Sequence, residues 1–139
     1  MNITNIHTAE WTQEETRLGT WKYVPLPFEK IGVRVESLDP GAKSSFHHYH
    51  TLEEEHLLVL EGTATLYMDS GEHALEAGDH VFFPAGSKDA HHIRNTSNED
   101  FKFFVFGERI EQDVVFYPRH GKKLIKSPEL KTVDMDEEV

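Results

Sequence analysis

From residue 30 onward the chain alternates apolar and polar positions in short runs broken by turn residues. The runs predict strands over 30–38, 44–50, 55–60, 63–68, 72–75, 80–83, 90–95, 101–106 and 114–117. Turn chemistry separates them at Asp39-Pro40-Gly41, Glu61-Gly62, Asp69-Ser70-Gly71, Ala77-Gly78-Asp79 and Pro84-Ala85-Gly86. Ser70-Gly71 sits between two alternating runs and predicts a hairpin. Helical periodicity over three turns is absent. Short strands at this spacing indicate an all-β sandwich or barrel. Neither an internal repeat nor a linker interrupts the pattern, so one domain over 1–139 is expected. Within it, residues 1–29 carry Trp11, Trp21, Tyr23, Val24, Leu26 and Phe28, with Pro25 and Pro27 keeping the chain extended. That segment is expected to pack on the barrel, and 128–139 to form a frayed, solvated acidic tail.

Composition narrows the chemistry. A chain of 139 residues with 37% hydrophobic content can bury a core without covalent staples. It has no cysteine, so disulfides and thiolate metal sites are excluded and any metal must be held by nitrogen and oxygen. The net charge of -11 argues against nucleic acid and against anionic membranes. Apolar runs are too short to cross a bilayer, and the N-terminus lacks the basic start and apolar block of a secretory signal. A complete, cytoplasmic protein is the expectation.

Histidine placement suggests the function. On a strand, side chains two apart share a face, roughly 7 Å from each other. In Phe46-His47-His48-Tyr49-His50, residues His48 and His50 therefore point one way, and His47 and Tyr49 the other. Glu55 opens the next strand on the face of Leu57 and Val59. In Ala90-His91-His92-Ile93-Arg94-Asn95, His91 shares a face with Ile93 and Asn95, and His92 with Arg94. Three imidazoles and a carboxylate suit one divalent transition metal ion (Fe, Mn, Zn, Ni, Co or Cu) better than calcium or magnesium.

These residues also carry a resemblance. Gly41, His48, His50, Glu55 and Gly62 follow the first motif of the cupin superfamily, and Gly78, Pro84, Gly86, His91 and Asn95 follow the second. The chain resembles the small single-domain bacterial cupins. Two spacers are longer than the family's usual ones, before His48 and before His91, so His47 and His92 stand as competitors in sequence, as Glu54 does to its neighbour Glu55. Only His48, His50, Glu55 and His91 keep the remaining spacings. The resemblance implies a double-stranded β-helix, or jelly-roll barrel, with those four residues as metal ligands. It also implies a homodimer, which the outward-pointing Leu58 and Leu60 would suit.

The implied function is metal-dependent chemistry on a small molecule inside the barrel, isomerase-like or oxygenase-like. A non-catalytic module that holds a metal or small ligand is the alternative. Tyr49, Tyr67 and Glu54 are candidate acid–base groups, and Phe46, Leu57, Val59, Phe82, Ile93, Phe104 and Phe106 are candidate cavity residues. His7, His56, His73, His80 and His120 are expected to be surface or packing residues.

Overall fold

The structure, a computed structural model, describes residues 1–126 and 129–136. Its strands are β1 Thr12–Thr16, β2 Gly19–Pro25, β3 Ile31–Leu38, β4 Tyr49–His50, β5 Glu55–Glu61, β6 Thr63–Met68 and β7 Gly71–Glu76. They continue with β8 His80–Phe83, β9 His91–Arg94, β10 Phe101–Glu108, β11 Val114–Tyr117, β12 Lys122–Ile125 and β13 Lys131–Asp134. All nine strands expected from residue 30 onward have a counterpart. Four further strands, β1, β2, β12 and β13, lie outside the expected set.

One sheet runs β1-β2-β3-β10-β5-β8. The opposing layer is built from β13-β12-β11-β4 and β7-β6-β9, joined by isolated bridges at His48↔His91 and Lys43↔Arg94. Every pairing is antiparallel, and the two layers close on a shared core as a jelly-roll barrel. Among the described residues no helix is long and apolar enough to cross a membrane.

Alternation decides what faces inward. On β10, Phe101 and Phe103 are almost fully buried and Val105 packs against the core, while Phe104 and Phe106 face outward. Register then places Phe103 opposite Val59 and Glu36, Val105 opposite Leu57 and Arg34, and Gly107 opposite Glu55 and Gly32. Burying each such aromatic contributes about 1.5–3 kcal/mol, so the sequence pattern alone sets this register firmly. Glu55 consequently points into the barrel.

Asn95 is fully buried and structural. Its Nδ2 donates to the carbonyls of Leu38 at 2.8 Å and Glu99 at 2.7 Å, while its Oδ1 accepts from Ser97. At the C-terminal end, β13 pairs with β12 and Lys122 pairs with Asp134. This part of the acidic tail is thus an edge strand and not a loose end; residues 128 and 137–139 of that segment lie outside the described residues.

Candidate metal centre

The expected strand over 44–50 is regular only at β4. Before it, the chain keeps two-sided contact with β9 through His48 N–H to His91 O at 3.1 Å and His91 N–H to His48 O at 2.9 Å. This bridge sets the two histidine rings side by side, 4.6 Å between centroids. The ring of His91 also stacks on Phe83 at 3.6 Å.

Hydrogen bonds at the far nitrogens fix the tautomers. His48 Nδ1 lies 2.8 Å from the Phe46 carbonyl, which can only accept, so Nδ1 carries the proton and Nε2 keeps its lone pair. Likewise His50 Nδ1 donates to Asp113 Oδ2 at 2.7 Å. Its Nε2 then faces Glu55 Oε2 at 3.6 Å. Orienting a ligand histidine through its other nitrogen is the arrangement metal centres use. One ligand atom each from His48, His50 and Glu55 falls within 4.8 Å of the others. His91 stands beside this trio and completes no group of that tightness. Its Nε2 is nevertheless buried with no hydrogen-bond partner.

The electrostatics suit a cation. Burial, then the neighbouring His50, lowers the pKa of His48 to about 4, and burial followed by His48 pushes His91 down to about 2. Both rings are therefore neutral, as ligands must be. Burial raises the pKa of Glu55, a penalty an adjacent positive ion would offset. Neutral imidazoles, an orphaned nitrogen and a desolvated carboxylate fit a divalent transition ion.

A second cluster, His50, Glu53 and Asp113, also has metal-like spacing. Lys126 already occupies it, with Nζ 2.6 Å from both oxygens of Glu53 and 3.7 Å from Asp113. That cluster is a buried ion-pair network behind His50. Asp113 is itself fully buried. Burial alone would raise its pKa, but hydrogen bonds from His50 and the Leu52 amide outweigh it and hold the carboxyl well below the usual range.

The competing histidines lie elsewhere. His47 and His92 are buried together, Nδ1 to Nδ1 at 2.8 Å, with His47 Nε2 on Asp69 at 2.8 Å. His56 and His80 meet on the outer sheet face, where His56 stacks between Phe82 and Phe106. Of the expected acid–base groups, Tyr49 stacks on Phe116 and Tyr67 on His92, while Glu54 borders the cavity but accepts from His56 at 2.5 Å. Leu57, Ile93 and Phe106 line the cavity as expected, although the Phe106 ring also stacks on His56; the rings of Phe82 and Phe104 belong to the outer face, and Phe46 packs on His120.

The cavity itself measures about 210 Å³ and has His48, His50, Glu55 and His91 in its wall. It also holds Glu36, which the sequence did not single out. Glu36 is buried on β3, accepts from Trp21 Nε1 at 2.6 Å and lies 3.3 Å from Arg34. Burial raises its pKa from 4.5 to about 6, against the opposing charge of Arg34. A carboxyl raised in the folded state stabilises the fold fully below pH 4.5 and loses that contribution as pH rises through about 6. The loss amounts to about 2 kcal/mol. Glu36→Gln will therefore lack this component of the decline between pH 4.5 and 6.5, measured as the difference between urea-denaturation curves of variant and wild type. Parallel stability profiles for the two proteins would contradict it.

Comparisons with known proteins agree with this architecture. No curated protein matches the chain. A protein from Acidithiobacillus ferrooxidans, provisionally named a sugar phosphate isomerase, is 31% identical with a TM-score of 0.86, covering 96% of this chain and 91% of that one. A sugar phosphate isomerase from a cupin superfamily, from Silicibacter pomeroyi, is 26% identical with a TM-score of 0.85, covering 97% and 94%. A predicted oxalate decarboxylase from Thermotoga maritima shares the fold at 19% identity and a TM-score of 0.68, covering 78% of this chain and all of that one. The family model described as the cupin domain matches residues 34–107, a span that contains His48, His50, His91, Glu55, Glu36 and both sequence motifs. This chain belongs to the cupin domain family.

Proposed function

We propose that the protein is a metal-dependent enzyme of the isomerase type acting on a small molecule in the barrel cavity. Its ion is held by Nε2 of His48 and His50, the carboxylate of Glu55 and Nε2 of His91. One observation carries this reading: the His91 Nε2 is buried without a partner, beside two imidazoles whose other nitrogens are already committed. The bound ion supplies Lewis acidity to a ligand oxygen.

Glu36 favours proton transfer over oxygen chemistry. A carboxyl with a pKa of about 6 can take a proton from the carbon beside a carbonyl and return it to the neighbouring carbon. Trp21 fixes one of its oxygens, so the group that moves the proton is oriented before the ligand arrives. The names of the similar structures from Acidithiobacillus ferrooxidans and Silicibacter pomeroyi point to the same reaction class.

Elemental analysis of protein purified without a histidine tag tests the centre, and deuterium incorporation from heavy water into aldose and ketose substrates tests the reaction. The expected result is roughly one transition metal per chain, lost in His48→Ala, with solvent deuterium entering next to the carbonyl. Full metal content in His48→Ala sinks the ligand assignment. Metal-dependent oxygen uptake would replace isomerisation by oxygenation. A bound metal with no turnover would leave a binding module.

A further inference from the structure

We propose that Arg34 and Arg109 form an oxyanion-binding subsite in the same cavity, so that the ligand carries a phosphate or carboxylate group. The inference rests on the cavity reading above and narrows its substrate class.

Both arginines line the cavity. Arg34 projects from β3 beside Glu36, its guanidinium 5.1 Å from the Trp21 ring and 5.6 Å from Tyr23. Those two rings stack on each other at 4.3 Å, so the guanidinium rests on a rigid aromatic shelf. One terminal nitrogen reaches Glu36 at 3.3 Å, while the buried Nε has no partner. Arg109 follows β10, its guanidinium 5.7 Å from the Phe28 ring. Among the described residues, no hydrogen bond or ion pair engages the Arg109 guanidinium. Stacking holds a guanidinium by its face and leaves the in-plane N–H edge free, the edge that binds oxyanions in a bidentate manner.

Gly32 brings the two together. The Arg109 side chain lies across this glycine so closely that a Cβ there would fall 2.3 Å from Arg109 Nε. Gly32 and Arg34 are two apart on β3, so both cationic groups arrive at one wall of the barrel. The charges of both reach Glu36 and Glu55, lowering the pKa of each against burial.

The cavity's carboxylates do not neutralise the pair. Glu53 is taken by Lys126, Glu54 by His56, Glu55 belongs to the proposed metal ligands, and Glu108 accepts from the Glu54 amide at 3.4 Å. Glu36 meets only one nitrogen of Arg34. Five glutamates share the cavity wall with the two arginines, yet none of them saturates either guanidinium, so both keep N–H donors for an incoming oxyanion. The cavity of about 210 Å³ gives room beside the arginines for a small anionic ligand.

Trp21 supplies the probe, because it contacts Arg34. Titrating the metal-loaded protein with inorganic phosphate, and separately with acetate, will change the tryptophan emission saturably. The stronger of the two anions identifies the group. Arg34→Gln and Arg109→Gln will each weaken that binding roughly tenfold or more. Gly32→Ala will do the same without touching either charge, since its new methyl displaces the Arg109 stem and its backbone is not in the positive-φ region. Metal content, read in parallel, will stay at the wild-type level in all three. His48→Ala will retain anion binding at the arginines, which separates failure of the metal reading from failure of this one. If neither anion binds the wild type, or if Arg109→Gln and Gly32→Ala bind as wild type does, the subsite is refuted.

Discussion

Asp113→Asn will lower metal affinity about tenfold to a hundredfold while leaving the barrel folded. The side chain is fully buried, and its two oxygens have different work. Oδ1 accepts the Leu52 amide at 2.8 Å and the Thr51 hydroxyl at 3.2 Å, whereas Oδ2 accepts from His50 Nδ1 at 2.7 Å. An asparagine must keep its carbonyl oxygen toward Leu52 and Thr51, because the Leu52 amide can only donate. Its NH₂ then meets the protonated Nδ1 of His50, donor against donor. His50 escapes by moving its proton to Nε2, which removes the lone pair proposed to bind the ion. The other orientation of the amide restores His50 but sets NH₂ against the Leu52 N–H, leaving a buried donor unsatisfied at about 1–3 kcal/mol. Either outcome lowers affinity. Competition against a chelator of known strength measures it, with a thermal melt confirming the fold. Wild-type affinity in a folded Asp113→Asn would mean that His50 is not a ligand through Nε2.

Asp113 also marks where sequence reasoning reached its limit. Strands β3 to β11 were legible because their side chains alternate and their turns carry Gly, Pro or Asp. Gly62, Gly78 and Gly86 all take positive φ, as turn glycines must. That His48, His50, Glu55 and His91 face one cavity was legible because two-residue periodicity fixes which side chains share a face. Periodicity says nothing about which residues meet across the barrel. Asp113 sits 63 positions from His50 and just ahead of β11, in a segment whose sequence reads as an ordinary turn. Glu36 is a polar residue on strand β3 that the sequence did not single out, yet it faces inward. Its tolerance there depends on Trp21 from β2, a strand outside the set expected from the sequence. The 44–50 strand was overextended for a related reason. Residues 44–47 form no regular ladder: the chain bridges β9 at Lys43 and His48, with Ser44 N–H donating to the Ile93 carbonyl at 2.8 Å between them, before pairing with β11.

Gly107→Ala will destabilise the fold and displace Glu55 together, unlike substitution at a turn glycine. Gly107 pairs with Glu55 across β10 and β5. A Cβ at Gly107 would fall 2.3 Å from the Glu54 carbonyl oxygen and 3.1 Å from Glu55 Cα. Both are backbone atoms, so no rotamer change relieves the clash and the two strands must separate locally. Overpacking of this kind costs about 1–3 kcal/mol. Separation at this point pushes the start of β5 outward, carrying the Glu55 carboxylate from Nε2 of His50, now 3.6 Å away. Gly78→Ala is the matched control. It has a φ of 94° but nothing within 4 Å of a new methyl, so its cost is conformational, about 1–2 kcal/mol. Stability falls comparably in both variants, whereas metal affinity falls only in Gly107→Ala, because only there does the strain pass through a proposed ligand. Equal metal affinity in the two, measured on folded protein by chelator competition, would show that Glu55 does not contribute to the ion's binding.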